Sequence, residues 1–141
     1  MRPVAIIGVL ISVLLMAGCA GPGWKSSVAV ELSEWVVEPA TFQVPNGKVV
    51  FTAINNGTVE HELIVLETDL APHALVTSGA QVDVAASGTV VASIQKEQLG
   101  PGISADLTLE FEAGNYVLFC NIPNHYESGQ AAAFRVFASD F

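Results

Sequence analysis

From Val28 onward, no stretch of the chain carries the apolar spacing of a helix of three turns. Apolar residues come instead in short runs rich in Val, Ile, Thr and Phe, punctuated by Gly, Pro and Asn. Residues 28–33 alternate in part and read as a first strand. Residues 35–37 and 41–44 read as a second, interrupted at Pro39, and Pro45-Asn46-Gly47 as a turn. Residues 48–54 are apolar on both faces, Val49, Phe51 and Ala53 against Val50, Thr52 and Ile54, which predicts a buried central strand. Asn55-Asn56-Gly57 turns the chain again, and residues 61–67 follow as a strand with the continuous core Leu63-Ile64-Val65-Leu66. Residues 71–77 read as one or two helical turns, residues 81–85 and 89–94 as short strands, and residues 96–104 as a connection. Leu107, Leu109 and Phe111 alternate inward along residues 106–111. A hairpin turn at Glu112-Ala113-Gly114-Asn115 leads to the last two strands, 116–120 and 131–138. Seven or eight short strands with frequent turns predict an all-β sandwich or barrel.

A chain of 141 residues suits one domain, and 51% hydrophobic with 13% charged residues allows a real core. The formal net charge is −9, and without Arg2 the four remaining cations face 14 acids, or −10. Such a surface is repelled by nucleic acid. It is compatible with a basic docking partner, and equally with acids that simply keep the domain soluble.

The N-terminus reads as an export segment. Arg2 precedes an apolar run over residues 4–16, the length of a signal-peptide core and short for a membrane span. The run closes in Leu15-Met16-Ala17-Gly18-Cys19, which resembles a bacterial lipobox with Cys19 as the lipid-bearing residue. The expected division is a signal peptide over 1–18, a lipid-anchored tether over 19–27 and a folded domain over 28–141. An ordinary signal peptide or an uncleaved anchor is the alternative, and all three export the domain to the cell envelope. Acyl chains on Cys19 would hold it at a membrane surface. Cys19 and Cys120 are the two cysteines, and each has a better separate explanation than a disulfide between them.

The chemistry concentrates in YVLFCNIPNHYESGQ, residues 116–130. Cys120, His125 and Gln130 are spaced C-x4-H-x4-Q between two strands, at the end of a sandwich where loops gather. His61 stands upstream in NNGTVEHELIVL. Taken singly, Cys120 reads as a buried thiol, His125 as a loop residue and His61 as a half-buried polar residue. Together, one thiolate and two imidazoles with a weak axial donor suit a trigonal copper site. His73 has no neighbouring donor and reads as an exposed loop residue.

The run GNYVLFCNIPNHYESG, residues 114–129, with Asn55-Asn56-Gly57 through His61, resembles the cupredoxins, the blue copper proteins related to plastocyanin, azurin and auracyanin. The resemblance covers about residues 28–137 and implies a Greek-key sandwich of about eight strands. It implies one copper cycling between Cu(I) and Cu(II), with His61, Cys120 and His125 as equatorial ligands. Gln130 stands where Met is usual and resembles the stellacyanin-type axial ligand; the alternative is that it points away and copper is three-coordinate. Glu62 stands where Asn is common, either bracing the site by another bond or leaving it looser, and Asn124 stands where Gly is common. Backbone N–H groups near Asn121 and near Asn55 or Asn56 are expected on the Cys120 sulfur. Ile122, Pro123 and Tyr126 are expected as an apolar collar around the outer edge of His125.

The expected function is one-electron transfer at a membrane surface by a monomer, through small interfaces with redox partners whose identity the sequence does not give. Copper storage, sensing or delivery in the envelope is the alternative. The scarcity of Met, only Met1 and Met16, weighs against delivery. An enzyme is not expected. Three histidines are too few for a trinuclear cluster, and no second cysteine lies near Cys120 for a dinuclear centre.

Overall fold

The computed structural model describes residues 25–139, so the export segment, Cys19 and most of the expected tether lie outside the described residues. In chain order the strands are β1 (Lys25–Ser33), β2 (Val36–Pro39), β3 (Gln43–Pro45), β4 (Gly47–Asn55), β5 (Leu63–Glu67), β6 (Thr77–Ser78), β7 (Gln81–Val82), β8 (Thr89–Ile94), β9 (Ser104–Phe111), β10 (Gly114–Phe119) and β11 (Ala131–Phe137). One short α-helix, α1 (Val84–Ser87), lies between β7 and β8, and a 3-10 turn, Lys96–Gln98, follows β8. Two sheets make the sandwich, β2-β1-β4-β9 and β3-β11-β10-β5-β8, and β6 and β7 form a separate ribbon.

Alternation places the inner faces. Val28, Val30 and Leu32 of β1, with Val49, Phe51 and Ala53 of β4, meet Leu63 and Val65 of β5, Leu118 of β10 and Phe134 of β11. Phe51 packs edge to face on Phe134 at 5.1 Å and on Phe111 at 5.8 Å. A second cluster lies on the other side of β10: Val117 and Phe119 join Leu66, Leu75, Val82 and Tyr126. Both faces of β10 are therefore buried, which accounts for its unbroken apolar run up to Cys120.

Register sets which ends meet. β1 and β4 run parallel with Leu32 beside Asn55, so both strands finish at one end. β10 is antiparallel to β5 and β11, with Phe119 opposite Ile64 and Ala131. The exit of β10, the entries to β5 and β11 and the connections between them thus gather at one end of the sandwich.

Several local expectations are corrected. β1 begins at Lys25, ahead of Val28. The second strand is two, β2 and β3 in different sheets, and Trp35 lies in the turn before β2. His61 precedes β5, its N–H donating to Leu99 O at 3.2 Å. Residues 71–77 are not helical, because side chains outside the segment take its donors: Leu75 N–H bonds Tyr126 Oη at 3.0 Å and Val76 N–H bonds Ser87 Oγ at 2.9 Å. The helical turn comes instead at α1, where strand was expected through Ala85; Asp83 caps it, accepting from Ala86 N–H at 3.1 Å.

Candidate metal centre

Cys120 leaves the buried end of β10, and its N–H donates to Gln130 O at 3.2 Å, closing the loop that carries His125. That loop is a tight coil: His125 N–H bonds Ile122 O at 2.9 Å and Ser128 N–H bonds Asn124 O at 3.1 Å. Asn124 sits at φ 69°, the left-handed region that Asn tolerates and Gly occupies freely, which explains Asn at this place.

His61, Cys120 and His125 come together, each offering a donor atom within 4.8 Å of the others. His61 and Cys120 are fully buried, and His125 keeps 8% exposure. His125 Nδ1 lies 3.4 Å from Cys120 Sγ and 3.1 Å from Gln130 Oε1. His61 Nδ1 lies 3.0 Å from Gln130 Nε2. Gln130 is fully buried and turned into the cluster; Nε2 also donates to Ser33 O at 2.9 Å and to Val36 O at 3.3 Å. With its nitrogen tied down, the amide oxygen is the end left for a ligand.

Burial lowers the pKa of His61, helped by the charge His125 would carry, and burial lowers that of His125. Both rings are therefore neutral at neutral pH, the form in which an imidazole can hold a metal. Burial pushes the Cys120 thiol up to about 11, against opposing N–H donation from Glu62 and Ile122. Two neutral imidazoles, a displaceable thiol proton and an amide oxygen fit copper by softness and number.

Glu62 braces the site. Its carboxylate accepts from Asn121 N–H at 2.9 Å, and its own N–H donates to Cys120 Sγ at 3.4 Å. The sulfur's backbone donors are Glu62 and Ile122. Ile122 meets the expectation of an N–H near Asn121, whose own N–H is spent on Glu62. Asn55 and Asn56 spend theirs on Ile103 O and Leu32 O, and Glu62 takes the place expected of them. Asn121 instead uses its side chain, accepting from Val82 N–H at 2.6 Å. Asn56 is exposed and reaches Glu31 Oε2 at 3.3 Å, away from the donors. Its neighbour Asn55 is fully buried, donating to Val59 O and Leu99 O at 2.8 Å each and accepting from Gly57 N–H at 2.8 Å. Tyr126 is not part of a surface collar; it is buried in the second cluster with its hydroxyl accepting from Leu75 N–H. Pro123 is exposed and Ile122 half-buried. His73 is exposed, as the sequence suggested.

Sequence reasoning missed Glu34 and Trp35. Glu34 Oε1 accepts from Thr58 N–H at 2.7 Å and Val59 N–H at 3.0 Å and lies 3.7 Å from His61 Nε2. Its own backbone N–H and those two hold its carboxyl down at about 2. Trp35, 42% exposed, packs edge to face on His125 with ring centroids 4.8 Å apart. An acid and a tryptophan in a turn were the only local signals, and neither points to histidines so distant in sequence.

The fold matches solved blue-copper-type structures. Reduced auracyanin from Roseiflexus castenholzii superposes with a TM-score of 0.61 at 23% identity, over 79% of this chain and 96% of that one. Reduced rusticyanin gives 0.57 at 19% identity, over 82% and 81%. The chain has the cupredoxin fold, with a His-Cys-His donor cluster at the loop end of the sandwich. Among curated proteins it is similar to the copper-resistant cuproprotein CopI of Rubrivivax gelatinosus, 32% identical over 110 residues. That match takes in 74% of this chain but 62% of CopI, so the chain spans less than two thirds of its relative. No family model matches.

Proposed function

We propose that the protein binds one copper through His61 Nδ1, Cys120 Sγ, His125 Nδ1 and an axial Gln130 Oε1, and carries single electrons. The observation behind this is the convergence of these groups in one buried cluster, each held by backbone or neighbouring side chains. Copper bound there supplies a one-electron couple. The chain's part is to keep the donors still, exclude water from Cys120 and bring one ligand edge, His125, to the surface. Exposed Trp35 adjoins that edge, Pro123 is exposed on the same loop, and such a surface suits a small, weak interface with a redox partner. The lipobox-like Leu15-Met16-Ala17-Gly18-Cys19 supports a place at a membrane surface of the cell envelope. Voltammetry of the copper-loaded protein tests the reading: a reversible one-electron wave with copper retained through many cycles is expected. Copper lost to a chelator on each reduction would contradict it.

The likeness to a copper-resistant cuproprotein favours a second reading, copper handling in the envelope without electron traffic. Retention against chelators in both redox states separates the two, since a delivery protein must release its metal.

Two further outcomes follow from the ligand set. Gln130→Met replaces a hard oxygen by a soft thioether, so Cu(I) gains relative to Cu(II) and the reduction potential rises. It also strips the partner from Ser33 O and Val36 O, costing about 1 kcal/mol for each lost bond in thermal unfolding. An unchanged potential would remove Gln130 from the ligand set. Cu(I) binding at pH 7.5 should release one proton from Cys120, because the thiol keeps its proton until about 11. Below that pH protons compete with the metal, so apparent affinity rises about tenfold per pH unit. Proton counting in a weakly buffered titration checks this; zero release would contradict thiolate ligation.

A further inference from the structure

The turn joining β1 to β2, Ser33 to Val36, touches three of the four donor side chains. Ser33 O and Val36 O hold Gln130 Nε2, Trp35 packs on His125, and Glu34 faces His61. The Glu34 contact is unusual in what it faces. His61 Nε2 is buried and has no hydrogen-bond partner; among the described residues it is the one buried side-chain polar atom in that condition. Gln130 Nε2, which can only donate, lies 3.0 Å from His61 Nδ1. Nδ1 is therefore the bare nitrogen, and the ring proton sits on Nε2, facing Glu34 Oε1 at 3.7 Å. That separation exceeds a hydrogen bond, and a small swing of the carboxylate closes it. The carboxylate is already steered there by Thr58 and Val59 N–H, on the loop that leads into His61. Gly57 leaves the room: a Cβ on it would stand 2.6 Å from Glu34 Oε1 and 2.8 Å from Oε2.

We propose that Glu34 is the positioning residue of this centre. Its carboxylate takes the Nε2–H of His61, fixes Nδ1 toward the other donors, and sets a negative charge behind the imidazole. Carboxylates placed behind ligand histidines orient the ring and raise its basicity. The charge favours the more positive metal, Cu(II), over Cu(I). The redox half of this inference rests on the copper reading above; the placement of the His61 proton does not.

The test uses Glu34→Gln, Glu34→Ala and Gly57→Ala. Glu34→Gln keeps an oxygen for Thr58 and Val59 N–H but removes the charge. The ratio of Cu(II) to Cu(I) affinity should fall about tenfold, a rise of about 59 mV in potential, with the thiolate absorption band unchanged. Gly57→Ala leaves every charge in the protein and displaces the carboxylate, so a smaller rise in the same direction is expected. A merely structural turn would lower stability and leave the potential alone, and wild-type potentials in both variants overturn the redox role.

Nitrogen-15 NMR of the metal-free protein decides the placement on its own. Wild type should show His61 as the Nε2–H tautomer with a slowly exchanging proton, and Glu34→Ala should speed that exchange at least tenfold. A wild-type proton on Nδ1, or exchange unaltered by Glu34→Ala, overturns the proposal even if copper binds as described. If the protein takes no copper, this arm still supports or overturns the Glu34–His61 contact.

Discussion

Cys120→Ser is expected to abolish the intense thiolate-to-copper absorption while leaving the protein folded. The sulfur is the only soft ligand in the cluster, and the band belongs to its covalency with Cu(II). A hydroxyl keeps the acceptor that Glu62 N–H requires, so the loop geometry survives. Burying it costs about 1–3 kcal/mol, small enough for the sandwich to persist. Copper affinity should fall by more than the roughly 10–100-fold that losing a supporting residue costs, since a ligand itself is gone. Circular dichroism at wild-type amplitude together with a colourless copper titration is the expected pair of results. A retained blue band would mean that Cys120 is only a core thiol.

The second large effect is structural. Asn55→Ala should destabilise the protein by about 2–3 kcal/mol, because Val59 O and Gly57 N–H lose their partner inside the protein and Leu99 O is left with His61 N–H alone. At about 4 °C per kcal/mol for a domain slightly above 100 residues, the midpoint drops by about 10 °C. The same three groups belong to the loop before His61 and to Leu99, whose carbonyl also accepts His61 N–H. Copper affinity should therefore fall by about 10–100-fold along with stability. Thermal unfolding with and without copper reads both. A drop under about 3 °C would mean that the loop holds itself without Asn55. Asn56→Ala, on the exposed neighbour, should move neither quantity and serves as the control.

The contrast between those two asparagines shows what the sequence carried. Strand character was legible wherever burial is written in side chains: β4 is apolar on both faces and β10 is buried on both, and each was placed within a residue or two. Residue type marked His61, Cys120 and His125, because few groups bind a soft metal and the C-x4-H spacing joins two of them through one loop. Asn55 and Asn56 are identical letters in one turn; Asn55 faces inward because β4 runs on to it, two residues beyond Ala53 on the buried face, whereas the sequence reading ended the strand at Ile54.

The supports of Gln130 were hidden for a different reason. Ser33 and Val36 hold it through backbone carbonyls, which every residue possesses, so no letter in the sequence announces them. Glu34 and Trp35 sit in the tight turn of the antiparallel pair β1–β2, and they meet His61 and His125 only across long stretches of chain, contacts that local pattern does not encode. α1 was misread as strand although its cap, Asp83, was visible, because a run as short as Val84-Ala85-Ala86-Ser87 has no helical period to detect.

The most direct measurement is the absorption and electron paramagnetic resonance spectrum of the purified protein titrated with Cu(II). A one-to-one endpoint, an intense visible thiolate band and its reversible bleaching by a mild reductant are the expected result. A pale tetragonal Cu(II) spectrum without charge transfer would contradict the account, since Cys120 would then not be a ligand.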